Sequence, residues 1–210
     1  MVAIIDYDAG NIKSVEKALQ YLGEDAVITR DRDMILGADR VILPGVGAFG
    51  DAMDKLRTYG LDKVIHEVVA DHTPFLGICL GLQLLFESSE ESEGVEGLGI
   101  LKGKVVRLPE DQNLKIPHIG WNSLKYPNPG RLFTGIPQDS YVYFVHSYYL
   151  DAENCSDVAT KTEYGISFDS SVAVPEINLY ATQFHPEKSG RVGLKILENF
   201  AKLGGDTLVR

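Results

Sequence analysis

Through the first half of the chain, short apolar runs alternate with stretches in which apolar residues recur at helical spacing. Residues 2–6, 26–29, 40–43 and 74–78 have the length and composition of buried strands. Between the first two, Ile12, Val15, Ala18, Leu19 and Leu22 repeat at helical intervals until Gly23 stops the pattern. Residues 51–70 carry a second helical pattern, broken near Gly60, and residues 80–87 predict a helix that follows the fourth strand without a loop. Strand and helix in alternation predict a mainly parallel sheet with helices on both faces. Sites in such sheets lie beyond the carboxyl ends of the strands, so the loops after Asp6, Pro44 and Cys79 are expected to converge.

After Gly97 the texture changes. Residues 100–108, 122–126, 141–150, 157–164 and 171–174 read as strands separated by Gly, Pro and Asn turns, with no long helix between them. This smaller β portion is expected to be mostly antiparallel. Residues 179–184 form one more apolar strand, and Val192, Ile196, Leu197, Phe200 and Leu203 mark a closing amphipathic helix. Residues 87–96, with five glutamates, read as a solvated loop. No repeat or long linker divides the chain, so one domain is expected over residues 1–210.

Composition narrows the function. A formal charge of −10 argues against nucleic acid and anionic membranes, both of which need a basic face, and leaves small molecules or a basic protein partner. No apolar run approaches the ~20 residues of a membrane span, and the opening MVAIIDYDAG has no basic region of a signal peptide. The two cysteines, Cys79 and Cys155, are expected to be reduced thiols of a cytoplasmic protein, Cys155 without a role.

The candidate chemistry starts at Cys79, which sits where strand turns into helix. Gly77 and Gly81 flank it as Gly-x-Cys-x-Gly, the thiol counterpart of the Gly-x-Ser-x-Gly nucleophile elbow. Glycines are needed because so abrupt a reversal brings backbone against backbone. The turn also sets the sulfur at a helix N-terminus, which favours a thiolate. A buried structural cysteine is the competing reading. A thiolate nucleophile needs a base and a group to orient it. His185 and Glu187, two apart at a strand end, project to the same side of an extended segment and supply both. His66, His72, His118 and His146 have no comparable partner. Acyl transfer also needs N–H donors for an oxyanion. Leu80, the residue after the nucleophile, offers one, and Val46 or Gly47 in the Pro44–Gly47 loop the other. Residues 45–50 also match G-x-G-x-x-G, but the next strand ends in Cys79 where a dinucleotide site wants an acidic residue. NAD binding is therefore a distant alternative.

These residues resemble a class I (triad-type) glutamine amidotransferase, a flavodoxin-like family. More narrowly, they resemble the family of glutaminase subunits of imidazole glycerol phosphate synthase. The stretches that carry the likeness are PGVGAFG (44–50), GICLGLQLLFE (77–87), GLGILKGKVVRL (97–108), PHIGWN (117–122), YFVHSY (143–148) and QFHPEKSG (183–190). The elbow and His-x-Glu are shared across the superfamily, whereas PHIGWN with FVHSY and HPEKSG is narrower. The resemblance implies that Cys79 attacks the side-chain amide of L-glutamine and forms a thioester, with His185 protonating the ammonia and Glu187 orienting His185. It implies that Gln83 and the backbone of Ser147 and Tyr148 hold the amino-acid end of the substrate. Ammonia would pass to a (β/α)8-barrel cyclase subunit in histidine biosynthesis, the two forming a heterodimer. Asn11, Trp121, Tyr143 and Lys188 would face that partner, and no metal or organic cofactor is implied. Trp121 and Lys188 also have ordinary readings, a core tryptophan and a surface charge. The family usually carries Gly where this chain has Asp8, a residue that tolerates left-handed backbone. A stand-alone cysteine γ-glutamyl hydrolase of the same fold, and a regulatory module that keeps the elbow only as scaffold, are the competing functions.

Overall fold

The computed structural model describes residues 1–110 and 114–204. Its first half runs β1 (Val2–Ile5), α1 (Ile12–Tyr21), β2 (Ala26–Thr29), α2 (Arg32–Leu36), β3 (Arg40–Leu43), α3 (Phe49–Thr58), α4 (Leu61–Ala70), β4 (Phe75–Ile78) and α5 (Leu80–Gln83). The second half runs β5 (Ser88–Ser89), β6 (Gly103–Arg107), β7 (His118–Ser123), β8 (Tyr141–His146), β9 (Tyr148–Ala152) and β10 (Val158–Glu163). It closes with β11 (Ser167–Val174), β12 (Leu179–Thr182) and α6 (Gly190–Ala201). One sheet takes the order β2-β1-β3-β4-β12-β11-β9-β6-β5, with β10 added on β11. The β2 to β12 part is parallel, and β11, β9, β10 and β6 pair antiparallel. The antiparallel portion thus continues the central sheet, with β12 as the strand common to both halves. β7 and β8 form a separate two-stranded sheet.

Strand alternation sorts the core into two layers. Ala3, Ile5, Val41, Leu43 and Phe75 face α2, α3 and α4. Val2, Ile4, Ile42, Leu76 and Ile78 face α1 and α6. The helical stripes read from the sequence are the buried ones, with Val15, Ala18 and Leu19 of α1 and Ile196, Leu197 and Phe200 of α6 in one layer. This sandwich holds the ends of β3, β4 and β12 side by side at the sheet's carboxyl edge.

Four expectations need correction. The helix after Cys79 stops at Gln83 rather than running to Glu87. Its continuation is blocked because the carbonyls of Leu84, Leu85, Phe86 and Glu87 accept N–H groups from residues 97–101 instead. Residues 141–150 are two strands, β8 and β9, parted at Ser147 into different sheets. His118 and His146, read as lacking a partner, are neighbours: His118 opens β7 and pairs with His146 across the small sheet. The glutamates of residues 87–96 are not merely solvated, because Glu87 accepts from Gly103 N, Glu90 from Arg107 N and Glu91 from Phe49 N. Glu91 and Ser92 together cap the first turn of α3 through Phe49 and Gly50. That cap occupies the amides a pyrophosphate would need, which disfavours the dinucleotide reading of the 45–50 glycines.

Candidate active site

Cys79 is buried at the carboxyl end of β4 with φ 54° and ψ −106°, a left-handed conformation unusual for a side chain with Cβ. Such a backbone costs about 1–3 kcal/mol and persists only where its surroundings enforce it. Here they do. Cys79 N donates to Thr182 O on β12, and its carbonyl accepts from Leu82 and Gln83. Close packing leaves no room for a side chain at Gly81, where a Cβ would lie 1.9 Å from Leu43 O. α5 is only four residues long, so its dipole is a weaker thiolate stabiliser than the expected eight-residue helix.

The stronger influence is His185. It and Glu187 have side chains 1% exposed, and Nδ1 lies 2.8 Å from Glu187 Oε1. The pair meets through a 3-10 turn at Pro186–Lys188, not through the extended segment expected. Asn11 Nδ2 donates to the same carboxylate oxygen at 3.3 Å. With Nδ1 engaged by Glu187, Nε2 is left as the atom free to exchange a proton, and it has no hydrogen-bond partner of its own. Burial by itself would lower the basicity of this imidazole, but the neighbouring Cys79 sulfur and then the Glu187 carboxylate outweigh it and raise the pKa to about 10. Cys155, by contrast, is exposed, and neither cysteine is in a disulfide.

Beside the sulfur lies a cavity of about 290 Å³. Of the residues expected there, Val46, Gly47, Leu80, Gln83, Ser147 and Tyr148 all line it with Cys79. Glu91, Pro117, Val145 and His146 complete the wall. Glu91 was hidden within a run of charges, whose ordinary fate is a solvated surface. Gln183 is also new: its Nε2 lies 3.7 Å from Cys79 Sγ, and its Oε1 accepts from Gln83 Nε2 at 3.1 Å. The Leu80 N–H, expected to point at an oxyanion, donates to Gly45 O at 3.4 Å. Because carbonyl and N–H of a trans peptide point in opposite directions, the Val46 N–H faces away from Leu80. In this conformation the two donors are not assembled. Below them Tyr7, buried and bonded to Pro44 O at 2.8 Å, supports the loop, its own pKa pushed up by burial and then by the charge of Cys79.

The four residues expected to face a partner share one rim. Trp121 is 55% exposed, so the core reading is wrong; it stands edge-on to Tyr143 at 6.2 Å, and Lys188 Nζ lies 6.0 Å from the Tyr143 ring. Asn11 reaches the same rim through Glu187. Ile119 and Tyr141, 60% and 58% exposed on the outer face of the small sheet, extend the patch. Asp8 adopts φ 63°, so the left-handed turn survives the departure from Gly, held by Arg30 at 2.6 Å and by the Tyr59 hydroxyl.

His118 and His146 are buried side by side, Nδ1 to Nε2 at 3.0 Å. Burial holds His118 down to about 4 and is the main cause that holds His146 to about 3. Unfolded histidines titrate near ~6.5, so between there and pH 4 the unfolded chain binds more protons than the native one. The contribution of this pair to stability is full above that window and falls as pH drops through it. Denaturant titrations across this range should report about two protons taken up per molecule on unfolding, reduced by about one in His146→Asn. A slope unchanged in that variant would refute the assignment.

A glutamine amidotransferase class-I family model matches residues 3–203. The imidazole glycerol phosphate synthase subunit HisH of Methanocaldococcus jannaschii is 50% identical over 204 residues, 97% of this chain and 100% of the relative. The subunit of the same name from Moorella thermoacetica is 52% identical over 202 residues, covering 96% and 94% of the two chains. Among solved structures, PurLQS from Thermotoga maritima shares the fold with TM-score 0.72 and 18% identity, over 96% of this chain and 97% of that one. The glutaminase domain of Trypanosoma brucei CTPS, with bound acivicin, aligns with TM-score 0.67 and 17% identity over 96% and 93%. The chain belongs to the class-I glutamine amidotransferases and, within them, to the HisH subunits, the glutaminase subunits of imidazole glycerol phosphate synthase.

Proposed function

We propose that Cys79, His185 and Glu187 hydrolyse L-glutamine in the adjoining cavity and that the ammonia passes to a (β/α)8-barrel cyclase subunit. The observation that carries this reading is His185, buried between the Cys79 sulfur and the Glu187 carboxylate. His185 Nε2 takes the thiol proton. The thiolate attacks the amide carbon, forming the C–S bond, and His185 returns the proton to nitrogen as the C–N bond breaks and ammonia leaves. Water, deprotonated by His185, then attacks the thioester; the C–S bond breaks, releasing glutamate and the thiolate. Gln83 and the Ser147–Tyr148 backbone hold the amino-acid end, and Glu91 adds a carboxylate suited to the α-ammonium group. The chain needs no metal or cofactor for these steps, acts as one domain in the cytoplasm, and with a charge of −10 is unsuited to nucleic acid or anionic membranes.

The engaged Leu80 N–H makes activity conditional. Rotating the Gly45–Val46 peptide would free Leu80 and bring the Val46 N–H to the same oxygen. The bond to be broken is long, 3.4 Å, so a modest bias from a docked partner suffices. Glutamate release should rise ~10²–10³-fold when the cyclase partner and its nucleotide ligand are added, the worth of a restored oxyanion donor. Equal rates with and without partner would favour the stand-alone hydrolase. For the rim, Trp121→Ala should weaken partner binding about thirtyfold in a calorimetric titration, as an aromatic anchor does. An unchanged affinity would remove Trp121 from the interface.

A further inference from the structure

The two buried histidines belong to a hydrogen-bonded chain whose direction can be assigned. Asn122 Oδ1 accepts from Ser123 N at 2.8 Å and Nδ2 donates to Glu163 O at 2.8 Å, which fixes the amide's orientation. Its Nδ2 also lies 3.4 Å from His118 Nε2, so that nitrogen accepts. His118 Nδ1 must then carry the hydrogen and donate to His146 Nε2 at 3.0 Å. His146 Nδ1 in turn donates to Tyr148 O at 2.9 Å. The same carbonyl accepts from Gln83 Nε2 at 3.1 Å, and Gln83 continues through Gln183 to the Cys79 sulfur. Neither histidine has a nitrogen left for proton exchange with a substrate, so neither is a base.

The chain ends at the corner where β8 and β9 part, one residue past Ser147, in the wall of the cavity. It begins on β7, the strand whose opposite face carries Ile119 and Trp121. We propose that His118 and His146 are positioning residues for glutamine: they hold the Tyr148 carbonyl, and with it the Ser147–Tyr148 corner, in the orientation that receives the amino-acid end of the substrate. This rests on the reading above that the corner contacts glutamine. Losing the chain frees the Tyr148 carbonyl to turn, which weakens substrate binding while leaving the sulfur and His185 in place.

The test uses His118→Phe, which keeps the stack on Tyr164 (centroids 3.9 Å apart) but deletes the donor to His146. It is paired with His146→Phe, which removes the donor to Tyr148, and His146→Asn, which restores an N–H near Nδ1. With the cyclase partner present, His146→Phe should raise KM for glutamine about tenfold with kcat within about twofold, the signature of lost ground-state binding. His118→Phe should raise KM about threefold, and His146→Asn should recover most of the loss although its melting temperature falls too. A wild-type KM in folded His118→Phe, or equal losses in His146→Phe and His146→Asn, would overturn the proposal. Calorimetry of glutamine on Cys79→Ala separates the positioning role from the substrate reading beneath it. Binding there that is indifferent to the histidine changes sinks the positioning role alone, and absence of binding sinks the substrate reading.

Discussion

Cys79→Ala should lower glutamate release at least ~10⁴-fold in the presence of the loaded cyclase partner, while glutamine still binds. On the proposed mechanism the nucleophile acts at the end of β4 beside His185, and the chain's other thiol cannot substitute: Cys155 is exposed in a turn far along the chain. His185→Ala should cost a similar amount, since on the proposed mechanism the imidazole takes the thiol proton and delivers it to the leaving nitrogen. Because the two residues act as a unit, the double variant should be little worse than either single one. Additive losses would mean two independent contributions and would contradict the shared proton. Retention of more than a percent of the activity in Cys79→Ala would remove Cys79 as the nucleophile.

Gly81→Ala should destabilise the protein by more than ~4 kcal/mol, enough to leave little folded chain. The added Cβ would lie 1.9 Å from Leu43 O and 2.9 Å from Leu43 C, backbone atoms at the end of β3 that cannot yield without moving the strand. A Cβ added at its partner in the elbow, Gly77, would lie 2.8 Å from the Gly81 carbonyl oxygen, so the crowding is mutual. Gly60→Ala is the control. At φ 68° with open space around it, it should cost only about 1 kcal/mol, the ordinary penalty of left-handed backbone. Denaturant midpoints of the two variants decide the matter, and a Gly81→Ala protein as stable as Gly60→Ala would show that the elbow is looser than its distances imply.

What could be read in advance was what is local. The parallel strands, the α1 and α6 stripes and the Gly77–Cys79–Gly81 turn each follow from a few neighbouring residues. So does the His185–Glu187 pair, although a 3-10 turn rather than an extended segment delivers it. What escaped depends on distant chain. The aromatic run from Tyr141 keeps strand texture straight through Ser147, and only pairing with two different sheets reveals the break. His118 and His146 stand 28 residues apart and become neighbours through the β7–β8 register alone. Glu91 was masked by the charges around it, and the helix after Cys79 was cut short by carbonyl acceptors committed to residues 97–101.

The placement of β12 bears on how the protein is made. Leu179 pairs with Phe75, so the strand beside the nucleophile is among the last to be synthesised. Until it inserts, β4 has a bare edge, and the antiparallel strands have nothing to join. Closing that gap requires contacts between remote segments, the slow kind in folding. The thiol therefore waits, unpaired with Gln183 and His185, through most of translation. On the proposed mechanism glutamine hydrolysis requires the whole sheet, so a truncated or half-folded chain would neither consume the amino acid nor release ammonia away from its consumer.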